Sequence, residues 1–208
     1  MLPFVPDSAL RILEVGCGAG SFLQALQRGD RELWGMDINA EQAGRARPFC
    51  ARLLIGDAME LAAGLPDNYF DCIVFNDVLE HMAWPGRLLA RMRGKLKPDG
   101  RLVASIPNVR YIDVLARELL WEKDFRYTPE GGLLDDTHLR FFTRRSMFRL
   151  LEGAGYEVVR CQGIRPCKSW KEKFLIALSC GTLSDCRYKC FAFSARPAGT
   201  GEAESAYL

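Results

Sequence analysis

Short apolar runs alternate with amphipathic stretches along most of the chain, and this alternation predicts its secondary structure. The apolar runs predict seven strands, at Arg11–Val15, Leu33–Asp37, Arg52–Ile55, Asp71–Asn76, Arg101–Ser105, Glu157–Cys161 and Lys189–Ala195. The amphipathic stretches predict helices at Gly20–Arg28, Ala40–Ala46, Pro85–Leu96, Tyr111–Trp121, Arg144–Gly153 and Trp170–Leu178. Strands that alternate with helices indicate an α/β fold with a largely parallel sheet.

The rhythm changes after the fifth predicted strand, and this change sets the domain layout. Residues 106–142 contain a long loop, which in a compact domain is more often a lid or a binding loop than a plain connection. Lys97-Pro-Asp-Gly100 predicts a turn just before the fifth strand. Residues 1–198 are predicted to form a single domain, and the small, polar residues 199–208 a flexible tail.

The composition describes an ordinary globular protein. Of its 208 residues, 49% are hydrophobic and 26% are charged, and the net charge is +2. So small a charge gives no general attraction to nucleic acid or to a membrane. The first residues show no basic leader followed by an apolar segment, and no apolar run approaches the roughly 20 residues that span a bilayer. A cytoplasmic protein without a membrane span is therefore predicted.

Eight cysteines and two histidines are the residues that would signal a soft-metal site or a disulfide framework. No two cysteines form a Cys-x-x-Cys pair, and the five from Cys161 to Cys190 lack the tight paired spacing of structural zinc sites. A reducing cytoplasm also disfavours disulfides. We therefore predict free thiols that pack as small apolar groups, and no metal site.

Three glycines at alternate positions follow the first predicted strand directly: Gly16, Gly18 and Gly20, with Glu14 two places before the first. Glycine allows a sharp turn at positive φ and lets a ligand approach where a Cβ would collide. The dinucleotide motif would need a third glycine where Ser21 stands. The pattern Glu-x-Gly-x-Gly-x-Gly instead resembles motif I of the class I S-adenosylmethionine (SAM) methyltransferases.

Downstream segments extend this resemblance in the right order. Asp37 closes the second strand 21 positions after Gly16, where an acid can accept hydrogen bonds from both ribose hydroxyls. The resemblance implies that Ile38 lies against adenine, that Asp57 and Ala58 meet the adenine edge, and that strand four ends beside the methionine part. The implied cofactor residues are Glu14, Gly16, Cys17, Gly18, Gly20, Asp37, Ile38, Asp57, Ala58, Asn76 and Asp77.

The resemblance implies a Rossmann-like doubly wound sheet of seven strands, the last of them antiparallel. SAM has no pyrophosphate, so its crevice needs carboxylates for an amino group and a sulfonium rather than an anion cradle. Each feature also has a simpler interpretation, because glycine after a strand is often only a turn and an aspartate at a strand end is often a helix cap. The ordered set favours the cofactor site.

Methyl transfer to a hydroxyl needs a proton acceptor that titrates near neutral pH, and histidine fits that need. His81 lies in a Leu-Glu-His triplet that resembles the small-molecule O-methyltransferases. His138 lies in a segment, residues 131–143, that resembles bacterial type 11/12-like methyltransferase domains. Either histidine could instead be structural, His81 at a helix start and His138 in ordering a loop. Both are the predicted catalytic residues.

The predicted function is methyl transfer from SAM to a small-molecule acceptor, at a sugar or phenolic hydroxyl, with residues 106–142 as a lid on the acceptor side. In that lid, Arg140 and Phe141–Phe142 could close over the acceptor, and Tyr111, Trp121 and Tyr127 could line its pocket or belong to the core. The alternatives are a non-catalytic SAM-binding module and a nucleic-acid methyltransferase. A nicotinamide oxidoreductase is disfavoured by the glycine spacing. The oligomeric state stays open.

Overall fold

The structure, a computed structural model, describes residues 1–114 and 135–199. Its strands are β1 Arg11–Val15, β2 Glu32–Asp37, β3 Arg52–Ile55, β4 Phe70–Asn76, β5 Leu96–Pro107, β6 Tyr156–Pro166 and β7 Tyr188–Pro197. Its helices are α1 Ser21–Leu26, α2 Ala40–Gly44, α3 Ala58–Leu61, α4 Pro85–Arg93, α5 Ile112–Val114, α6 Arg144–Gly153 and α7 Trp170–Leu178. A short 3-10 turn, Leu79–His81, follows β4.

The strands form a seven-stranded sheet in the order β3-β2-β1-β4-β5-β7-β6. Strands β1 to β5 run parallel, whereas β7 is antiparallel to both of its neighbours, β5 and β6. The predicted Rossmann-like fold with an antiparallel last strand is confirmed. The chain order reverses between β1 and β4, and ligands in open α/β sheets bind outside the strand ends at such a point.

Both faces of the sheet are covered, which explains why its central strands are apolar throughout. Because side chains alternate along a strand, Leu13 packs with α4 and α6 on one face, whereas Ile12 packs with Leu23 of α1 on the other. All three are fully buried. The two layers of core therefore hold the carboxyl ends of β1 and β4 in fixed positions.

Several predicted boundaries shift by a few residues. Helix α4 ends at Arg93, whereas the predicted helix continues to Leu96. It ends earlier because Leu96 already pairs with Phe70 and begins β5. The next pair in the register is Cys72 with Arg101, so the segment between Leu96 and Arg101 bulges out of the ladder. The predicted Pro-Asp-Gly turn lies in this bulge. Helix α3 was not predicted, and β6 and β7 extend beyond their predicted ends.

The predicted insertion, residues 106–142, falls only in part within the described residues. Strand β5 continues to Pro107, and Asn108 then forms a parallel bridge with Phe142. Most of the predicted helix Tyr111–Trp121, together with Trp121 and Tyr127, lies outside the described residues. So does the predicted tail after Gly199. The interpretation of this region as a lid therefore stays a prediction.

Two sequence expectations concern membranes and thiols. Among the helices described, none combines the length and the apolar character needed to cross a bilayer. The eight cysteines are all free thiols in the structure, and five of them are buried, at Cys17, Cys72, Cys167, Cys186 and Cys190. Cys167 and Cys186 belong to one buried cluster beside α7.

Candidate active site

The glycine turn after β1 needs its glycines for two separate reasons. Gly16, Gly18 and Gly20 have φ values of +73°, +49° and +82°. Residues other than glycine adopt such left-handed backbone angles only at a cost in free energy. A Cβ on Gly16 would also lie 2.3 Å from Cγ2 of Val78. A Cβ on Gly18 would meet nothing closer than 3.9 Å. Gly16 thus allows the β1 turn and the β4 loop to touch.

The backbone N–H groups of this turn are already used within the protein. Gly16 and Cys17 both donate to the Met36 carbonyl, at 2.7 and 3.1 Å. Gly18 N donates to Asp37 Oδ2 at 2.7 Å, and Asn39 N donates to Asp37 Oδ1 at 2.8 Å. Because these N–H groups already donate within the protein, they are not available to bind a pyrophosphate. The turn therefore suits a cofactor that has no pyrophosphate. The Asp37 carboxylate stabilises the turn through its hydrogen bond from Gly18 N.

A cleft of about 640 Å³ opens above the carboxyl ends of β1, β2 and β3. Five predicted cofactor residues line it: Gly16, Asp37, Ile38, Asp57 and Ala58. The Ile38 side chain is 73% exposed, which leaves an apolar surface for a flat ring at the cleft edge. Six predicted residues do not line the cleft, namely Glu14, Cys17, Gly18, Gly20, Asn76 and Asp77.

Sequence reasoning missed the far wall of this cleft. The wall is formed by Val78, Met82, Ala83 and Trp84 after β4, and by Leu139 from the partly described insertion. Trp84 is 57% exposed and lies under the guanidinium groups of Arg87 and Arg140. No local motif marks these positions, because only the tertiary fold brings them opposite the glycine turn.

Asp57 acts as a helix cap, which is the simpler interpretation of an aspartate after a strand. Its Oδ1 accepts hydrogen bonds from Met59 N at 2.7 Å and Glu60 N at 3.3 Å, so it caps the short helix α3. The cap fixes the carboxylate at the rim of the cleft. Both roles are compatible, since a carboxylate has further acceptor sites.

Glu14 and Asn76 form a buried polar pair at the ends of β1 and β4. Asn76 Nδ2 donates to Glu14 Oε1 at 2.9 Å, and Glu14 is only 2% exposed. Glu14 Oε2 and Asn76 Oδ1 accept no hydrogen bond from any described residue. When Glu14 is ionised, these two buried acceptors lack a donor, and the ammonium group of SAM can supply one. Beside them, burial raises the pKa of the Cys17 thiol to about 12, which disfavours the reactive thiolate form.

Burial raises the pKa of Glu14 to about 8, and this shift makes a testable prediction for stability. The folded state retains a proton that the unfolded chain releases above pH 4.5, so the stability contribution is present at low pH and is lost as pH rises through 8. In urea unfolding without ligand, Glu14→Gln is expected to reduce the loss of stability between pH 6 and 8 by about 2 kcal/mol. Glu152→Gln, at an exposed position of α6, is the control and should leave the slope unchanged. An unaltered slope in Glu14→Gln would contradict the raised pKa.

A smaller cavity of about 200 Å³ adjoins the cleft, and His81 lines both. Its other lining residues are mostly ionisable: Asp77, Glu80, Asp135, His138, Arg165 and Lys189. Asp77, with φ +50°, accepts at Oδ1 from Ser105 Oγ at 2.7 Å, and its Oδ2 lies 3.7 Å from Arg165 Nη1. Asp77 therefore belongs to this second cavity rather than to the cleft.

The hydrogen bonds of His81 fix which ring nitrogen carries the proton. The Thr137 hydroxyl donates to Asp135 at 2.5 Å, and its oxygen lies 3.0 Å from His81 Nδ1. The Thr137 carbonyl lies 3.1 Å from the same nitrogen. Because a carbonyl can only accept, Nδ1 carries the proton of the neutral ring, and Nε2 keeps its lone pair. Hydrogen bonds from Thr137 also hold the pKa of Asp135 below its usual value.

His138 and Glu80 complete a close cluster with His81. The two imidazole rings are 4.6 Å apart between centroids, and one ligand atom from each of the three residues lies within 4.8 Å of the others. Glu80 is 1% exposed, and neither carboxylate oxygen has a hydrogen-bond partner in the described ranges. Burial raises the pKa of Glu80 to about 8. Two imidazoles and a carboxylate are chemically able to bind a divalent cation, although the sequence predicts no metal.

The segment after the undescribed residues packs against the turn that carries His81. Leu139 N and Arg140 N both donate to the Glu80 carbonyl at 2.9 Å. The Arg140 guanidinium donates twice to the Ala83 carbonyl, at 3.2 and 2.8 Å. Phe142 is buried in the core, whereas Phe141 is 39% exposed. Arg140 therefore ties this segment to the cleft wall, which brings His138 beside His81.

A family model described as "Methyltransferase domain" matches residues 2–160. The chain belongs to this methyltransferase family. It is similar to the ubiquinone biosynthesis O-methyltransferase of Aeromonas salmonicida, with 27% identity over 74% of this chain and 66% of the relative. The protein of the same name from Ruegeria pomeroyi is 30% identical over 76% of this chain and 64% of the relative.

A solved structure supports the fold. A SAM-dependent methyltransferase from Archaeoglobus fulgidus superposes with a TM-score of 0.72, at 20% identity, over 94% of this chain and 89% of that chain. The chain spans less than two thirds of the length of the two curated relatives. The sequence match therefore shows the family, and the solved structure shows the same fold.

Proposed function

We propose that this protein transfers a methyl group from SAM to an oxygen of a small-molecule acceptor, a sugar or phenolic hydroxyl. The observation that carries the proposal is the position of His81, which lines both the cofactor cleft and the ionisable cavity beside it. Family membership supports the reaction class, and the names of the curated relatives support an oxygen as the methylated atom.

SAM supplies an electrophilic methyl group on a sulfonium, whose positive charge disappears on transfer. The chain would hold it by three kinds of contact: Glu14 and Asn76 toward the ammonium group, Asp37 toward the ribose, and Ile38 with Asp57 and Ala58 toward the adenine. In such a displacement, most of the rate acceleration comes from holding the acceptor oxygen in line with the methyl group and the sulfonium. The neighbouring cavity then presents the acceptor oxygen to the cleft.

His81 is the proton acceptor in this proposal. Its Nε2 is the free ring nitrogen, because Nδ1 is committed to Thr137. As Nε2 takes the acceptor proton, the Thr137 hydroxyl and the Asp135 carboxylate behind it stabilise the imidazolium. His138 lines the smaller cavity and not the cleft, so its role is to pack against His81 and contact the acceptor.

The basic residues around α4 support a small acceptor rather than nucleic acid. Lys95 pairs with Asp67 at 2.7 Å, Lys97 pairs with Asp71, and Arg91 donates to the Met59 carbonyl. Groups that serve the fold in this way are less available for phosphates, and affinity for nucleic acid would have to fall steeply with salt. The proposed compartment is the cytoplasm, which suits eight free thiols.

Asp37→Ala is expected to weaken SAM binding by about 1.5–3 kcal/mol, because charged hydrogen bonds to the ribose and the brace on Gly18 N are both lost. Isothermal calorimetry measures the affinity. Thermal unfolding without ligand separately measures the loss of stability that follows when the hydrogen bond from Gly18 N to Asp37 is removed. Asp30→Ala, at an exposed loop position, is the control and should bind normally. Unchanged affinity in Asp37→Ala would refute the ribose contact.

The proposed reaction is tested by supplying methyl-labelled SAM with panels of phenols, sugars and short RNA or DNA strands. The expected result is label transfer to one class of hydroxyl compound and none to nucleic acid. Binding of SAM without transfer to any acceptor would favour the non-catalytic module. Transfer to nucleic acid would contradict the small-molecule proposal.

A further inference from the structure

Helix α7 has a second apolar face that the described part of the chain leaves exposed. Trp170, Phe174 and Leu178 are 72%, 61% and 63% exposed, and their spacing of four residues places them on one stripe. On the other side of the helix, Ile176 packs against a buried cluster of Ile112, Cys167 and Cys186. Single exposed apolar side chains are ordinary, but three in a row on one helix form a patch.

Cationic residues flank the N-terminal end of this patch. From Arg165 to Lys173, the sequence contains four Lys or Arg residues and one Glu in nine positions. The side chains of Arg165, Lys168 and Lys173 are exposed. An apolar stripe that contains Trp and Phe, with exposed lysines at its end, matches the surface of an anionic membrane in both polarity and charge.

We propose that α7 docks the protein onto the surface of an anionic lipid bilayer. The three apolar side chains enter the headgroup boundary, where an indole ring is favoured, and the lysines contact lipid phosphates. A second copy of the chain is a poorer occupant, because its own segment 165–173 is basic as well and offers the lysines no matching acidic surface. Charge complementarity therefore favours the bilayer.

Docking through α7 would bring the ionisable cavity close to the membrane. Arg165 lines that cavity and precedes Trp170 by five residues, a separation of at most about 18 Å along the chain. The association is peripheral, which agrees with the lack of a spanning helix among the described residues. The docking itself does not depend on the proposed reaction, so each can fail without the other.

Co-sedimentation with vesicles tests the proposal. Wild-type protein is expected to bind vesicles of phosphatidylcholine mixed with phosphatidylglycerol at least tenfold more than phosphatidylcholine alone, and to be released by salt. The triple variant Trp170→Ser, Phe174→Ser, Leu178→Ser is expected to lose that binding at least tenfold. The matched control replaces three other exposed apolar residues, Leu2, Leu10 and Val159, with Ser.

Two further readouts keep the test decisive. Circular dichroism and SAM affinity of the triple variant should match the wild type, since none of the three replaced residues lines the cleft. Equal vesicle binding by the wild type and the triple variant would overturn the proposal. So would a wild-type dimer in sedimentation velocity that the triple variant abolishes, because the stripe would then be a contact between copies.

Discussion

His81→Ala is expected to reduce turnover by about 100-fold or more, whereas SAM affinity changes far less. The truncation removes the Nε2 lone pair that takes the acceptor proton, and leaves the glycine turn, Asp37 and Glu14 in place. Single-turnover kinetics with labelled SAM measures the chemical step directly. His138→Ala should cost clearly less, because His138 does not line the cofactor cleft. Full turnover in His81→Ala would exclude His81 as the proton acceptor.

The close cluster of Glu80, His81 and His138 makes chelation a necessary control. A proton acceptor needs no cation, so turnover after dialysis against EDTA is expected to equal that of untreated enzyme. Loss of turnover that Mg²⁺ or Zn²⁺ restores would contradict the base role. It would assign the three side chains to a metal centre, and the prediction of no metal site would be wrong.

Gly16→Ala is expected to destabilise the fold by about 3 kcal/mol or more and to abolish measurable SAM binding. The methyl group costs roughly 1–2 kcal/mol for the left-handed backbone, and it must also displace the Val78 side chain, which would lie 2.3 Å away. Val78 directly precedes the turn Leu79–His81, so the displacement reaches the proposed base. Urea unfolding and calorimetry measure the two losses.

Gly18→Ala is the matched control for this prediction. Gly18 has φ +49°, but its Cβ would meet nothing closer than 3.9 Å, so only the backbone cost of about 1–2 kcal/mol applies. The difference between the two variants isolates the contact between the β1 turn and the β4 loop. Equal stability of the two variants would contradict the packing role assigned to Gly16.

Local sequence patterns predicted most of the strands and helices correctly. The bounds of β1, β3, α6 and α7 agree with the sequence prediction, because each is delimited by glycine, proline, a cap or a sharp change in polarity. Helix α3 has only four residues, too few for a periodic signal. The end of α4 was overestimated because Leu96 continues the amphipathic pattern of the helix while its backbone pairs with β4.

The candidate site was only half visible in the sequence. Gly16, Asp37 and Asp57 could be identified because each lies at the end of a strand or within two residues after it, and parallel strands align their carboxyl ends at one edge. The contact between His81 and His138 joins residues 57 positions apart, and no local pattern encodes such a distance. The cleft wall at Trp84 was missed for the same reason.

Calorimetric titration with SAM, S-adenosylhomocysteine and NAD tests the central claim most directly, namely that the cleft beside the glycine turn holds SAM. The account predicts saturable micromolar binding of both sulfur nucleosides and no heat with NAD. Binding of NAD, or no binding of either sulfur nucleoside to folded protein, would contradict it.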